Sequence, residues 1–233
     1  MTLRQAWITS GIIILGMLAM TGIAWPLFPP GQMIPVHFTF DGTPNKFAPR
    51  EFGLLILPAF ALLAALLMSR VAVRNNFAGF VPLADRPAAA LWIVILAVLA
   101  GGQALIIGYA LHPEVEILRL FFGAIGILIA VLGAAMSRVE PNAAFGIRNP
   151  WTRTDRGVWQ RTHVFGSAVF VVAGVFLAGV AAFWPHPASL ALVLLADIAI
   201  AAVLCTLYSY LIFRSRSTGE GTAFPGGAVS RDK

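Results

Sequence analysis

Long apolar runs separated by short polar stretches dominate the chain. Six runs, roughly 6–28, 52–68, 88–111, 117–136, 164–184 and 188–213, reach or approach the length a helix needs to cross a bilayer core, about 20 residues. The second contains Pro58, which a helix bundle tolerates as a kink. The first is too long for a signal-peptide core and no small-residue cleavage site follows it, so it reads as an uncleaved helix. The pattern predicts an all-α bundle of six transmembrane helices. A helical hairpin with an ordered outer loop occupies 1–87, a four-helix region occupies 88–213, and a Ser-, Gly- and charge-rich tail over 214–233 is expected to be disordered.

Composition changes the picture by exclusion. Hydrophobic residues make up 59% of the chain and charged residues only 11%, with a mean hydropathy of +0.84. An ordinary soluble domain is closer to one half and one quarter. The net charge of +6 does not point to nucleic acid, because the charges lie between apolar runs and act as topology signals. With the N-terminus in the cytoplasm, thirteen of the sixteen Lys and Arg residues fall on the cytoplasmic side, leaving Lys46, Arg50 and Arg119 outside. Both termini are therefore expected to be cytoplasmic, in a multi-pass membrane protein. Cys205, the single cysteine, excludes an intrachain disulfide.

Small residues recur every four positions at Gly126, Ala130 and Ala134 and at Gly174, Ala178 and Ala182, a spacing that lets membrane helices approach closely. Short connections at 112–116 and 185–187 make the third and fourth helices, and the fifth and sixth, antiparallel neighbours.

The polar stretch 145–163, FGIRNPWTRTDRGVWQRTH, stands apart from the runs around it. Gly146 permits backbone angles closed to other residues, and Pro150 biases Asn149 toward an extended conformation, so an ordered turn is expected. Thr152 and Asp155 have the spacing of a capping box, and a helix starting there runs through Trp159 into the next apolar run. Trp151 and Trp159 read as interfacial anchors, with Arg148, Arg153, Arg156 and Arg161 at the cytoplasmic boundary.

The string Gly146-Ile147-Arg148-Asn149-Pro150-Trp151-Thr152, followed by Trp159 and the pair Thr162-His163, resembles the signature of the SdpI family of bacterial membrane proteins. Asn149 stands where that family usually has Thr. Upstream, Ile34-Pro35-Val36-His37-Phe38 with Gly42 and Pro44 is similar to the IPxHF…GxP pattern of a domain of unknown function often found at the start of SdpI-like proteins. There Gly31-Gln32-Met33 replaces the acidic residue that often precedes IP. The resemblance implies immunity to a secreted peptide toxin that acts on the membrane, with signalling by holding a transcriptional repressor at the cytoplasmic face. It implies that the outer loop (Ile34, Pro35, His37, Phe38, Gly42, Pro44) meets the toxin, while the loop with Arg148, Asn149, Pro150 and Trp151 holds helices in register or docks the repressor. Membrane lipids are the remaining partner.

Arg148, in a constrained turn, is suited to a forked grip on a lipid phosphate or a partner's carboxylate. Asp197 is the acidic residue deep in an apolar run. It must face the bundle or a cavity, with Gln103 as its candidate hydrogen-bond partner, and it raises the alternative of a small ion-coupled transporter. His37, His112 and His186 lie on the outer side near Asp41, Glu114 and Glu116. They come from separate loops and lack metal-binding spacing, so no metal site is expected and a zinc enzyme is the weakest alternative. His163, at a helix start, reads as structural rather than as half of an acid/base pair with Thr162. No nucleophile elbow, phosphate loop, paired-carboxylate motif or CxxC occurs, so neither enzymatic activity, a catalytic residue nor a cofactor is expected.

Overall fold

The computed structural model describes residues 3–73, 86–142 and 146–217. In order they form α1 (Leu3–Ala24), β1 (Met33–Phe38), β2 (Pro44–Pro49), α2 (Arg50–Val73), α3 (Arg86–Leu111), α4 (Ile117–Met136), α5 (Pro150–Thr154), α6 (Arg156–Phe183) and α7 (Leu190–Ser217). Among the described residues, six helices, all except α5, are long and apolar enough to cross a membrane. The chain is a multi-pass helical membrane protein. The expectation of a disordered tail falls mostly outside the described residues, and α7 continues helically through 214–217.

The loop between α1 and α2, expected on the outer side, is more regular than its sequence suggested. β1 and β2 form an antiparallel hairpin pairing Ile34 with Ala48 and Phe38 with Pro44. Pro35, Pro44 and Pro49 hold the backbone extended, and Gly42, at φ +85°, closes the turn in the left-handed region. A Cβ at Gly42 would come within 2.9 Å of Leu118, so the turn rests on the start of α4.

The helices fall into two groups. α1, α2 and α3 pack on one another, and α4, α6 and α7 form the second group, while α3 and α4 touch only lightly. α3, placed by the sequence pattern with the C-terminal helices, thus packs with the N-terminal ones. A polar relay explains part of this. Pro58 cannot donate the backbone hydrogen bond that the carbonyl of Leu54 would receive in a regular helix. The hydroxyl of Thr21 on α1 donates to that carbonyl instead (3.0 Å). Gln103 Nε2 on α3 donates to Thr21 Oγ1 (2.9 Å) and to the Met17 carbonyl (3.0 Å). Gln103 therefore binds within the first group and does not serve as the partner of Asp197.

The second group is held by backbone proximity. A Cβ on Gly126 would lie 2.6 Å from both the Ala178 nitrogen and the Gly174 oxygen, and one on Gly174 would collide with Ala130. Gly133 meets Phe170 and Val171 in the same way, at 2.8 Å. The third members of the sequence stripes, Ala134 and Ala182, are exposed. Four residues turn a helix by about 400°, so a strict four-residue repeat drifts roughly 40° per step off the contact line. Gly133 and Ala181 lie on that line instead. Arg119 completes the group by donating to the carbonyls of Ala181 (3.2 Å) and Trp184 (2.7 Å) at the α6 C-terminus, where the helix presents unsatisfied acceptors.

Candidate functional site

The hairpin and the 112–116 and 184–189 turns lie at one end of the bundle, and the described parts of the α4–α6 connection, 137–142 and 146–155, at the other. The second end carries the arginine-rich signature, and its residues close into a knot.

Gly146 sits at φ +113°, which lets the chain pass directly over an imidazole; a Cβ there would collide with His163 Nε2. The Ile147 N–H donates to that Nε2 (3.0 Å), and His163 Nδ1–H donates to the Trp159 carbonyl (2.8 Å). With Nε2 accepting, this geometry holds a neutral ring with its proton on Nδ1. The Trp159 ring stacks on His163 at 4.1 Å, and its Nε1–H donates to the Val139 carbonyl beyond α4 (2.8 Å). Trp159 is buried, so it is a structural pin rather than the interfacial anchor its sequence position suggested. Trp151 is half-buried against Tyr210 of α7. Thr162 is buried, and its hydroxyl has no hydrogen-bond partner among the described residues.

The helix start also differs from the expected one. Asn149 is the N-cap of α5. Its Oδ1 accepts from the Thr152 N–H (3.0 Å), its own N–H donates to Thr152 Oγ1 (3.0 Å), and Pro150 occupies the first helical position. The capping box thus joins Asn149 to Thr152 rather than Thr152 to Asp155. Asp155 caps the next helix, α6, by accepting from the N–H groups of Gly157 (2.6 Å) and Val158 (2.9 Å). The Val158 bond, then that of Gly157 and the Arg216 guanidinium 3.2 Å away, outweigh burial and hold the Asp155 carboxyl below its ordinary range. Two short-range caps therefore create a sharp break where one continuous helix was expected.

Long-range contacts tie this knot to α7. Asn149 Nδ2 donates to Ser209 Oγ (2.5 Å), and Ser209 is fully buried. The Ile147 side chain occupies the space over Gly166, where a Cβ would lie 2.6 Å from it. Ser209, Gly166 and Arg216 escaped the sequence reading. Sixty residues separate Asn149 from Ser209, and no local pattern announces such a pair.

Arg148, by contrast, projects from the knot. Together with Arg153 it is exposed, with no side-chain partner among the described residues. Apart from the Thr162 hydroxyl, the knot's polar side chains hold one another, and these two cations are presented to solvent or headgroups.

At the opposite end, Ile34 is fully buried against Phe28, Leu54 and α3, and Phe38 packs edge-on against Tyr109 at 4.9 Å. His37 Nδ1–H donates to Asn45 Oδ1 (2.6 Å). At the tip, the Asp41 carboxylate accepts from the Thr39 and Thr43 hydroxyls and the Thr43 N–H, which pulls its pKa down to about 2. Phe40 beside it is 87% exposed, a feature the sequence pattern did not single out. Of the expected toxin-facing set, Ile34, Pro35 and Phe38 turn into the protein, while His37 faces outward. His112 pairs with Glu114. Among the described residues no group of three or more His, Cys, Asp or Glu side chains comes together as a metal site.

Asp197 lies on α7 between the inward-facing Leu194 and Ala201. Its Oδ2 is buried with no hydrogen-bond partner among the described residues.

Residues 138–209, which include the whole knot and its α7 partner Ser209, match the SdpI/YfhL protein family. Residues 12–62, from mid-α1 through the hairpin into α2, match a domain of unknown function, DUF1648. No curated protein and no solved structure matches the chain. The knot therefore lies in an SdpI/YfhL-like region, and the hairpin in a DUF1648-like region, of a multi-pass membrane protein.

Proposed function

We propose that this protein is a non-enzymatic immunity protein of a bacterial cytoplasmic membrane, protecting against a secreted membrane-active peptide toxin. The observation that carries the reading is the signature knot. The SdpI/YfhL-type residues close on one another and leave Arg148 and Arg153 as exposed cations on a rigid turn, a surface suited to an acidic partner or lipid phosphates. At the other end, the hairpin offers His37 and the exposed aromatic Phe40 to a peptide arriving through the outer leaflet. Toxin contact at the hairpin and repressor docking at the arginine turn are the two interactions of the reading; direct nucleic-acid contact is no part of it.

The test is survival and membrane potential of toxin-challenged bacteria expressing wild type, Arg148→Ala, Phe40→Ser or neither, at matched membrane levels. Wild type is expected to protect. Loss with Phe40→Ser places toxin contact at the hairpin, and loss with Arg148→Ala places the response at the knot. Absence of protection by wild type against a panel of depolarising peptides overturns the reading.

The buried, unpartnered Asp197 oxygen favours one second reading, an ion-coupled transporter. It predicts flux in reconstituted vesicles that Asp197→Asn abolishes; flux equal in the two proteins rejects it.

A further inference from the structure

A cavity of about 760 Å³ lies beneath the hairpin, where α3, α4 and α7 diverge. That volume falls within the range of sites that enclose a small ligand, roughly 300–1,000 Å³. Its helical walls are apolar and include Leu105, Ile106, Phe122 and Leu194. Its polar groups come from the hairpin roof, chiefly His37 and Asn45, and none of its lining residues is Lys, Arg, Asp or Glu. Phe121 and Leu195 line it while remaining 45% and 64% exposed, so it opens sideways on the surface that faces lipid. α3 and α7 both line the cavity without packing on each other, and nothing in the described chain fills the gap.

We propose that this cavity binds one acyl chain of an outer-leaflet amphiphile whose uncharged end, an ester or hydroxyl, meets His37 and Asn45. Three physical points select that occupant. Water gains too few hydrogen bonds between apolar walls to fill such a space. A peptide segment would bring backbone N–H and C=O groups that these walls cannot satisfy. An acyl chain has no such requirement, and its ester end reaches the level where α3 ends and α4 begins, beside the hairpin. There the Asn45 amide nitrogen is placed to donate to an ester carbonyl, and His37 Nε2 to accept from a hydroxyl, since Nδ1 is engaged with Asn45. The bound chain fills the space between the two helix groups and couples the hairpin to both.

The experiment uses full-length protein in lipid nanodiscs doped with a phosphatidylethanolamine carrying a diazirine midway along one acyl chain. A parallel set carries the same diazirine on a free fatty acid. After irradiation, labelling at Phe121, Phe122 and Leu194 is compared with labelling at the lipid-facing Ile127 and Val172. Cavity labelling is expected to dominate, and Ala191→Phe, which fills the cavity, is expected to reduce it about tenfold while sparing Ile127 and Val172. His37→Leu, an exposed change that does not threaten folding, is expected to lower cavity labelling by a smaller factor. Labelling by the phospholipid assigns a membrane lipid, and labelling by the fatty acid alone assigns a free chain. Equal labelling at the cavity and at Ile127 and Val172, or labelling unchanged by Ala191→Phe, overturns the proposal. So does cavity labelling by a diazirine-bearing membrane-active peptide where neither acyl probe reacts. The acyl probes report without any toxin present, so their failure to label the cavity leaves the protection assay standing.

Discussion

The two ends of the molecule solve the same problem, non-helical backbone next to a membrane, by opposite means. At the signature end the backbone doubles over His163, and the side chains of Asn149, Thr152, Asp155, Trp159 and Ser209 each find a partner in the chain. At the hairpin end the backbone pairs with itself as β1 and β2, which frees its side chains. Ile34 and Phe38 anchor it, while Phe40, His37 and the cavity beneath face outward. A region whose polar groups are mutually satisfied is costly to alter, because each deletion leaves a buried group unpaired. A hairpin anchored by a few apolar residues tolerates change at its tip. The contrast separates a fixed scaffold from an adaptable contact surface.

The sharpest break of this comparison is Gly146→Ala. The substitution forces a side chain into φ +113° and onto His163 Nε2. Backbone strain and overpacking cost about 1–3 kcal/mol each. A large fall in thermal denaturation midpoint in detergent and reduced membrane abundance are expected. Gly179→Ala, on α6 with open space around its Cα, is expected to be neutral or slightly stabilising and controls for composition. Near-equal behaviour of the two variants would show that the knot is not rigid.

A smaller effect tests the reach of Asn149. Asn149→Thr keeps a capping side chain but is too short to donate to Ser209, which lies on the far helix. The expected loss is about 1 kcal/mol, the net worth of one buried hydrogen bond. Asn149→Ala loses the cap as well and is expected to cost about 1 kcal/mol more. Thermal midpoints of wild type, Asn149→Thr, Ser209→Ala and the double variant measure the coupling. Additive losses would remove the interhelical bond from the account.

The smallest effect is acid sensitivity, and both ends show it with the same sign. Asp155 and Asp41 have folded-state pKa values below the ordinary 3.8. Each therefore contributes stability fully present above that value and lost as pH falls through the lower folded one. For Asp41 that window runs from near 4 down to about 2. Hydrogen exchange at Thr43, whose N–H is bound to the Asp41 carboxylate, is expected to accelerate through it. Asp41→Asn is expected to flatten that response without changing exchange at Gly157 and Val158, which report on Asp155. Identical pH profiles in wild type and Asp41→Asn would reject the carboxylate's role.

Much of this architecture was legible in the order of residues. Apolar runs announce spanning helices because lipid accepts little else. Gly146, Pro150, Trp159 and the pair Thr162-His163 marked the region that proved to be the knot. The close α4–α6 approach was visible in Gly126 and Gly174, but its register was not, since a four-residue repeat slides off the contact line and Gly133 takes over.

What remained hidden depends on partners far away in the chain. By itself the sequence determined the number of spans and the glycine and proline positions where the backbone must turn, because these follow from local chemistry and from the bilayer. Only the tertiary structure decided that Gln103 answers Thr21 and Met17 rather than Asp197, that Trp159 is a buried pin, that Asn149 reaches Ser209, and that a cavity opens beneath the hairpin. Each of those depends on how helices distant in sequence are rotated and spaced against one another, and a helix's own residues do not encode which neighbour its polar atoms will meet.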